Sequence, residues 1–334
     1  MMRSFTVRSG HLMIPSVWRG MSGSHEGFPA ESRTGGSATE ISDGIFAYVQ
    51  DDGTWWINNT GFLVGRRGVV SIDACATARR TTAYLEAIAA VTRTPVRTLI
   101  NTHHHGDHTF GNYLFTEATI VAHDGVRQGM AAWGEPRSAP FWTEVEWGPV
   151  ELVPPFLTFE DQVRVYVDEL VCEVTHVGTP AHTVNDSVVW IPERGVLFSG
   201  DLIFNGGMPF LMQGSISGAR VALDSLRGLG AQTIVPGHGL VCGPEAIEDV
   251  DRYLAFVQMA AIGGHAAGLT PLEIARDLDL GEFAALSDPE RIVGNLHRAL
   301  AEIDGLPPGA PIDAHAALAD MVEFNGGRPL TCLA

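Results

Sequence analysis

Within six residues the chain offers His103, His105, Asp107 and His108, directly after a predicted strand over Thr98–Asn101. A strand end holds side chains in a fixed fan, and imidazoles at i and i+2 of an extended segment point the same way. His103 and His105 can therefore grip one metal ion while Asp107 and His108 turn toward a second. His104, between two candidates, should point away. Three more polar residues follow at predicted strand ends: His182 in Pro180-Ala-His-Thr183, Asp201 in Phe198-Ser-Gly-Asp201, and His238 in Pro236-Gly-His-Gly239. A set of imidazoles and carboxylates suits zinc, and other divalent metals could use the same ligands.

The elements that must position these residues alternate. Ile45–Gln50, Trp55–Val64 and Val69–Asp73 are predicted strands, joined by tight Asp-Gly and Arg-Arg-Gly turns. A helical period over Ala78–Thr92 leads into the strand before His103, and the alternation returns with helices at Asp124–Trp133 and Gly218–Leu229. Predicted strands lie at Thr119–Ala122, Val163–Val167, Val171–His176, Ser187–Ile191, Val196–Ser199 and Thr233–Val235. Strand, helix, strand, polar loop is the pattern of a layered α/β domain. Beyond Gly243 three amphipathic stretches, Pro244–Ile262, Thr270–Leu278 and Pro289–Ile303, predict a helical C-terminal appendage. The division is then a loose tail over 1–40, a catalytic domain over 41–243 and helices over 244–334.

Composition removes whole classes of function. The 334 residues are 45% hydrophobic and 18% charged, as in a folded globular chain. A net charge of −18 argues against nucleic acid or an anionic membrane as partner. The sequence contains no lysine, which excludes Schiff-base chemistry, a pyridoxal cofactor and a P-loop. Four scattered cysteines without a CxxC pair, and no apolar run of membrane length, lead us to expect a cytoplasmic protein without disulfides.

In order and spacing, THHHGDH, PAHT, FSGD and PGHG resemble the signature of the metallo-β-lactamase fold superfamily. The resemblance implies a four-layer αββα sandwich and a two-zinc site at the exposed edge of its sheets. His103, His105 and His182 would hold the first zinc, Asp107, His108 and His238 the second, and Asp201 would bridge them. Ala181 stands where the family commonly has glycine. The carboxylate at 201 is similar to the glyoxalase II type, which implies ester or thioester hydrolysis by metal-activated water, with Asp107 as ligand and catalytic group. A bridging carboxylate lowers the net charge of the pair and so favours reactive thioesters over lactams. The pieces Trp55-Trp56-Ile-Asn-Asn59, His105-Gly-Asp-His-Thr-Phe-Gly-Asn112, Gly294-Asn-Leu-His-Arg298 and Asn325-Gly-Gly-Arg-Pro329 resemble actinomycete cyclases and thioesterases of the actinorhodin type. Those act on carrier-protein-bound aromatic polyketides. A general metallo-hydrolase or lactonase of small esters is the alternative, and a non-hydrolytic metal-binding module is a third reading.

The superfamily resemblance also implies that Asp73, at a strand end, braces the metal-binding loop; capping turn amides is its simpler role. Strand alternation would send one of Trp55 and Trp56 into the core and the other over the cleft. Phe204 opens an apolar stretch to Met212 that could wall a pocket or pack the core. His123 and His176 read as hydrogen-bonded packing residues.

Overall fold

Alternating side chains decide which faces of the sheets meet. In the computed structural model, residues 35–50, 52–134 and 141–334 are described. Seven strands form the first sheet in chain order: β1 (Ser37–Ser42), β2 (Ile45–Val49), β3 (Thr60–Val64), β4 (Val69–Ile72), β5 (Val96–Ile100), β6 (Thr119–His123) and β7 (Leu157–Phe159). The first four pair antiparallel and the last three join in parallel. The second sheet has the order β12-β11-β10-β9-β8, from β8 (Gln162–Val167), β9 (Leu170–His176), β10 (Ser187–Ile191), β11 (Val196–Asn205) and β12 (Thr233–Gly239).

Leu63, Val70, Ile72 and Ile100 of the first sheet pack against Val174, Val189, Ile191 and Phe198 of the second. Their strand neighbours point outward. Phe62, Val69 and Leu99 meet Tyr84 and Ile88 of α1 (Ala78–Val91), and Ala122 meets Val126 and Met130 of α3 (Asp124–Trp133). On the far side Val188, Trp190 and Leu197 lie under α4 (Ile216–Leu229) and α5 (Glu245–Ala267). Helix, sheet, sheet, helix is the four-layer order that the motifs implied. Each fully buried Leu, Ile or Val contributes about 1.5–3 kcal/mol of transfer free energy, so these faces fix the layering.

The helices after Gly243 share the outer core of the second sheet. Helix α6 (Pro271–Asp277) starts with Thr270 and Glu273 in a reciprocal capping box, and α7 (Arg291–Ile303) buries Ile292, Val293, Leu296 and Ala299 in the same cluster as α5. A further helix, α8 (Ala314–Phe324), was not expected from the sequence. No helix among the described residues is long and apolar enough to cross a membrane. The sheet begins at Ser37, inside the segment read as a tail; residues 1–34 of that segment lie outside the described residues.

Two expected boundaries are corrected. Strand β3 starts at Thr60, not Trp55, and Asp52-Gly53 belongs to a long loop between β2 and β3 instead of a tight hairpin. Strand β11 does not stop at Ser199 but runs to Asn205, so Asp201 lies within a strand and not at its end. Its first nine residues are buried, and a strand buried on both faces has no apolar alternation to mark where it stops. The register with β12 shifts on both sides of Gly200, just before Asp201.

Candidate metal centre

The loop after β5 is locked before it delivers any ligand. Asp73, at φ +59°, accepts hydrogen bonds from the Thr102 backbone N–H at 2.8 Å and from the Thr102 hydroxyl at 2.8 Å. Its second oxygen also faces His108 Nδ1 at 2.9 Å. One carboxylate therefore fixes the start of the loop and turns the other ring nitrogen of His108 inward. Asn101 donates to the His108 carbonyl at 3.0 Å and is itself paired with Asn112. The short helix α2 (Gly106–Thr109) then presents Asp107 and His108 on one turn.

His182, Asp201 and His238 come from three other loops or strands, and the outer nitrogens of His182, His238 and His105 are engaged. His182 Nδ1 donates to the Phe210 carbonyl, and His238 Nδ1 to the Gly53 carbonyl at 3.1 Å. His105 Nε2 is bonded to Gln213, which leaves Nδ1 facing His182 Nε2 at 2.8 Å. Gly237 is required beside His238, because a Cβ there would sit 1.9 Å from Asp201 Oδ1.

Two sets of side chains result, each with its ligand atoms within 4.8 Å of one another: His103, His105, His182 and Asp201, and Asp107, His108, His238 and Asp201. Asp201 belongs to both. His108 Nε2 stands 3.1 Å from Asp201 Oδ1, and His103 Nε2 stands 3.8 Å from Asp201 Oδ2. Yet His103 Nε2, His108 Nε2 and Asp201 Oδ1 are buried without a hydrogen-bond partner. Buried polar atoms left open toward one another are costly unless a shared cation occupies the space, so the donor set fits divalent metal ions.

Charge is unevenly spread across the cluster. Burial, with the neighbouring imidazoles adding to it, holds His103 and His105 well below the usual histidine range. For His238 burial acts downward, but Asp201 and the hydrogen bond to Asp107 outweigh it and push the imidazole up to about 9. His108 is likewise lifted well above its ordinary value, burial being overcome by Asp201, Asp73 and Asp107. Against the same burial, His108 and His238 bring the Asp107 carboxyl down to about 2. A cation held by these carboxylates would compensate their charge in place of protons on His108 and His238.

All seven sequence-predicted ligands meet here. His104 does point away, toward Asn185 and the backbone of α3. His123 and His176 stack at 4.0 Å, with His123 capping α3 through the Gly125 N–H. Trp55 is the ring buried in the core, as expected of one of the pair, but the strand reasoning is corrected. Both rings line one cleft over the cluster with Trp133, Trp142, Phe204 and Phe210, because the two residues lie in a loop, with Trp56 at φ +66°, and strand alternation does not apply. Phe204 stacks on His238 at 5.0 Å. The free space within the cleft is small, about 60 Å³, and the cleft is open to solvent on one side. Sequence reasoning missed Gln213, Trp142 and the carbonyls of Gly53 and Phe210. A backbone acceptor carries no sequence signal, and an isolated Gln or Trp becomes informative only once the fold brings it to the site.

The comparisons with known proteins agree with this geometry. The family model of the metallo-beta-lactamase superfamily matches residues 53–238. A beta-lactamase-like protein 2 homolog of Caenorhabditis elegans is 26% identical over 170 residues, which is 51% of each chain. A hydroxyacylglutathione hydrolase of Rhodospirillum rubrum is 31% identical over 147 residues, 44% of this chain and 47% of that one. The match thus spans about half the length of these two relatives. A metallo-beta-lactamase from Pontibacter korlensis shares the fold at a TM-score of 0.55 and 20% identity, covering 66% of this chain and 98% of its own. The matched stretch begins at the Gly53 loop and ends at His238, enclosing every ligand candidate between them, and the chain belongs to the metallo-beta-lactamase superfamily.

Proposed function

We propose that the chain is a two-metal hydrolase of aromatic or extended acyl esters and thioesters. The observation that carries this reading is the convergence of seven candidate ligand side chains, three of them with a buried inner atom left unpartnered, at the foot of an aromatic cleft. His103, His105 and His182 would hold one ion and Asp107, His108 and His238 the other, with Asp201 between them. Two divalent ions there, zinc by donor type, would supply Lewis acidity to activate water and polarise an acyl carbonyl. Asp107 lines the cleft and lies 3.2 Å from His238, where its carboxylate can orient the attacking water and hold its proton. Six aromatic rings line the cleft and offer flat faces to a planar acyl group. Likeness to a hydroxyacylglutathione hydrolase supports acyl transfer to water.

Within that class, a carrier-protein-bound polyketide is the finer reading, with cyclisation of the bound chain as a possible companion step. The test is a substrate panel on the metal-loaded protein. Aromatic acyl thioesters should turn over well above acetyl thioesters, with little cleavage of penicillins. Efficient cleavage of lactams alone would end both the thioester and the polyketide readings.

A further inference from the structure

The loop Met208–Gln213 touches two ligand candidates, yet it has no ladder of its own to hold it. Its Phe210 carbonyl accepts from His182 Nδ1 and its Gln213 side chain is bonded to His105. It runs outside regular helix and strand, so its backbone groups need partners from elsewhere. The Ser287 carbonyl accepts from the Met208 N–H at 3.1 Å, and helix α7 supplies further partners from one face. Arg291 Nη1 donates to the Met208 carbonyl at 2.9 Å. Asn295 donates to the Pro209 carbonyl at 2.8 Å and accepts from the Leu211 N–H at 2.8 Å. Arg298 donates twice to the Met212 carbonyl, at 3.0 and 2.8 Å. These three residues recur at i, i+4 and i+7 and are each no more than 1% exposed. Gly294 completes the fit, since a Cβ there would meet the Phe210 ring at 2.7 Å.

We propose that Arg291, Asn295 and Arg298 of α7 are positioning residues for the His103, His105 and His182 half of the centre, acting through this loop. The Asp107, His108 and His238 half takes its outer contacts from Asp73 and Gly53 and makes none to the loop's backbone. Arg291 also lies 5.3 Å over the Phe204 ring that stacks on His238, so Asn295 and Arg298 are the residues that bear on one half only. This inference rests on the metal reading above.

The experiment is a zinc titration of the full chain against a competing chelator, with Asn295→Leu as the variant. One zinc site should weaken by about 10–100-fold, as when an outer contact of a ligand is lost, and the other by less than about threefold. Repeated on His238→Ala the weakening should persist, and on His182→Ala it should vanish. Should Asn295→Leu not fold, Asn295→Asp, which keeps the acceptor for the Leu211 N–H and loses the donor to the Pro209 carbonyl, tests the same contact: it should weaken the same site selectively by a smaller factor. Equal weakening of both sites, or of neither in a folded variant, overturns the clamp. A wild-type chain that binds no zinc overturns the metal reading first, and the clamp with it.

Discussion

The two halves of the centre are built by different means. The Asp107 half is framed by charge and by segments of the first sheet: Asp73 at the end of β4 holds His108, and the β2–β3 loop holds His238 through Gly53. In the other half the outer contacts are neutral. His103 faces the Thr102 hydroxyl at 3.1 Å, while His105 and His182 lean on a loop fastened to a helix more than 75 residues further along the chain. Carboxylates lift His108 and His238 above the usual histidine range, whereas burial and neighbouring imidazoles hold His103 and His105 below it. A symmetric-looking pair of ligand sets can thus bind its ions with unequal strength and depend on different parts of the fold.

Removing Asp107 should have the largest effect. Asp107→Ala takes away a ligand and the group that orients water, so kcat should fall by about 10³-fold or more with circular dichroism unchanged. Near wild-type turnover would show that the nucleophile is positioned otherwise. Asp73→Asn sharpens the contrast between the halves. Asn tolerates the left-handed backbone at 73 but no longer offers a charge to His108, so affinity at the Asp107 half should drop about 10–100-fold in a zinc titration, and the other half, reached through the Thr102 hydroxyl beside His103, should drop by less. An equal drop in both would erase the proposed asymmetry.

The smallest effect concerns Cys75, buried in the core that the first sheet shares with α1. Burial, against the pull of nearby Arg80, pushes its thiol from 9.0 up to about 12. A thiol neutral in the fold but ordinary when unfolded leaves stability intact below about pH 9 and erodes it as pH rises toward 12. Cys172 and Tyr48 act with the same sign, each raised to about 12 mainly by burial. Denaturation midpoints of Cys75→Ala should therefore fall less steeply between pH 9 and 12 than those of the wild type. Parallel curves would place the alkaline loss elsewhere.

Much of the centre was legible in the sequence because its ligands are clustered, chemically distinctive and delivered by segments with strong strand and helix periods. Helices α1 and α3 carry the expected boundaries to within one residue. What was hidden depends on long-range placement. Asp73 could be read as a strand-end acid, but only the fold gives it Thr102 and His108 together. Arg298 is an arginine at helical spacing until its donors meet the Met212 carbonyl, and buried strand β11 gives no alternation from which to read its length. Trp55 and Trp56 misled because the rule that separates neighbours applies to strands, and their loop is not one.

The measurement that bears most directly on the whole account is the metal content of the purified chain after reconstitution with zinc and removal of free metal. Two ions per chain are predicted, falling on prolonged chelation together with thioester hydrolysis and returning with it when zinc is restored. A chain that retains no more than trace metal, or that hydrolyses thioesters equally well without it, would contradict the two-metal centre.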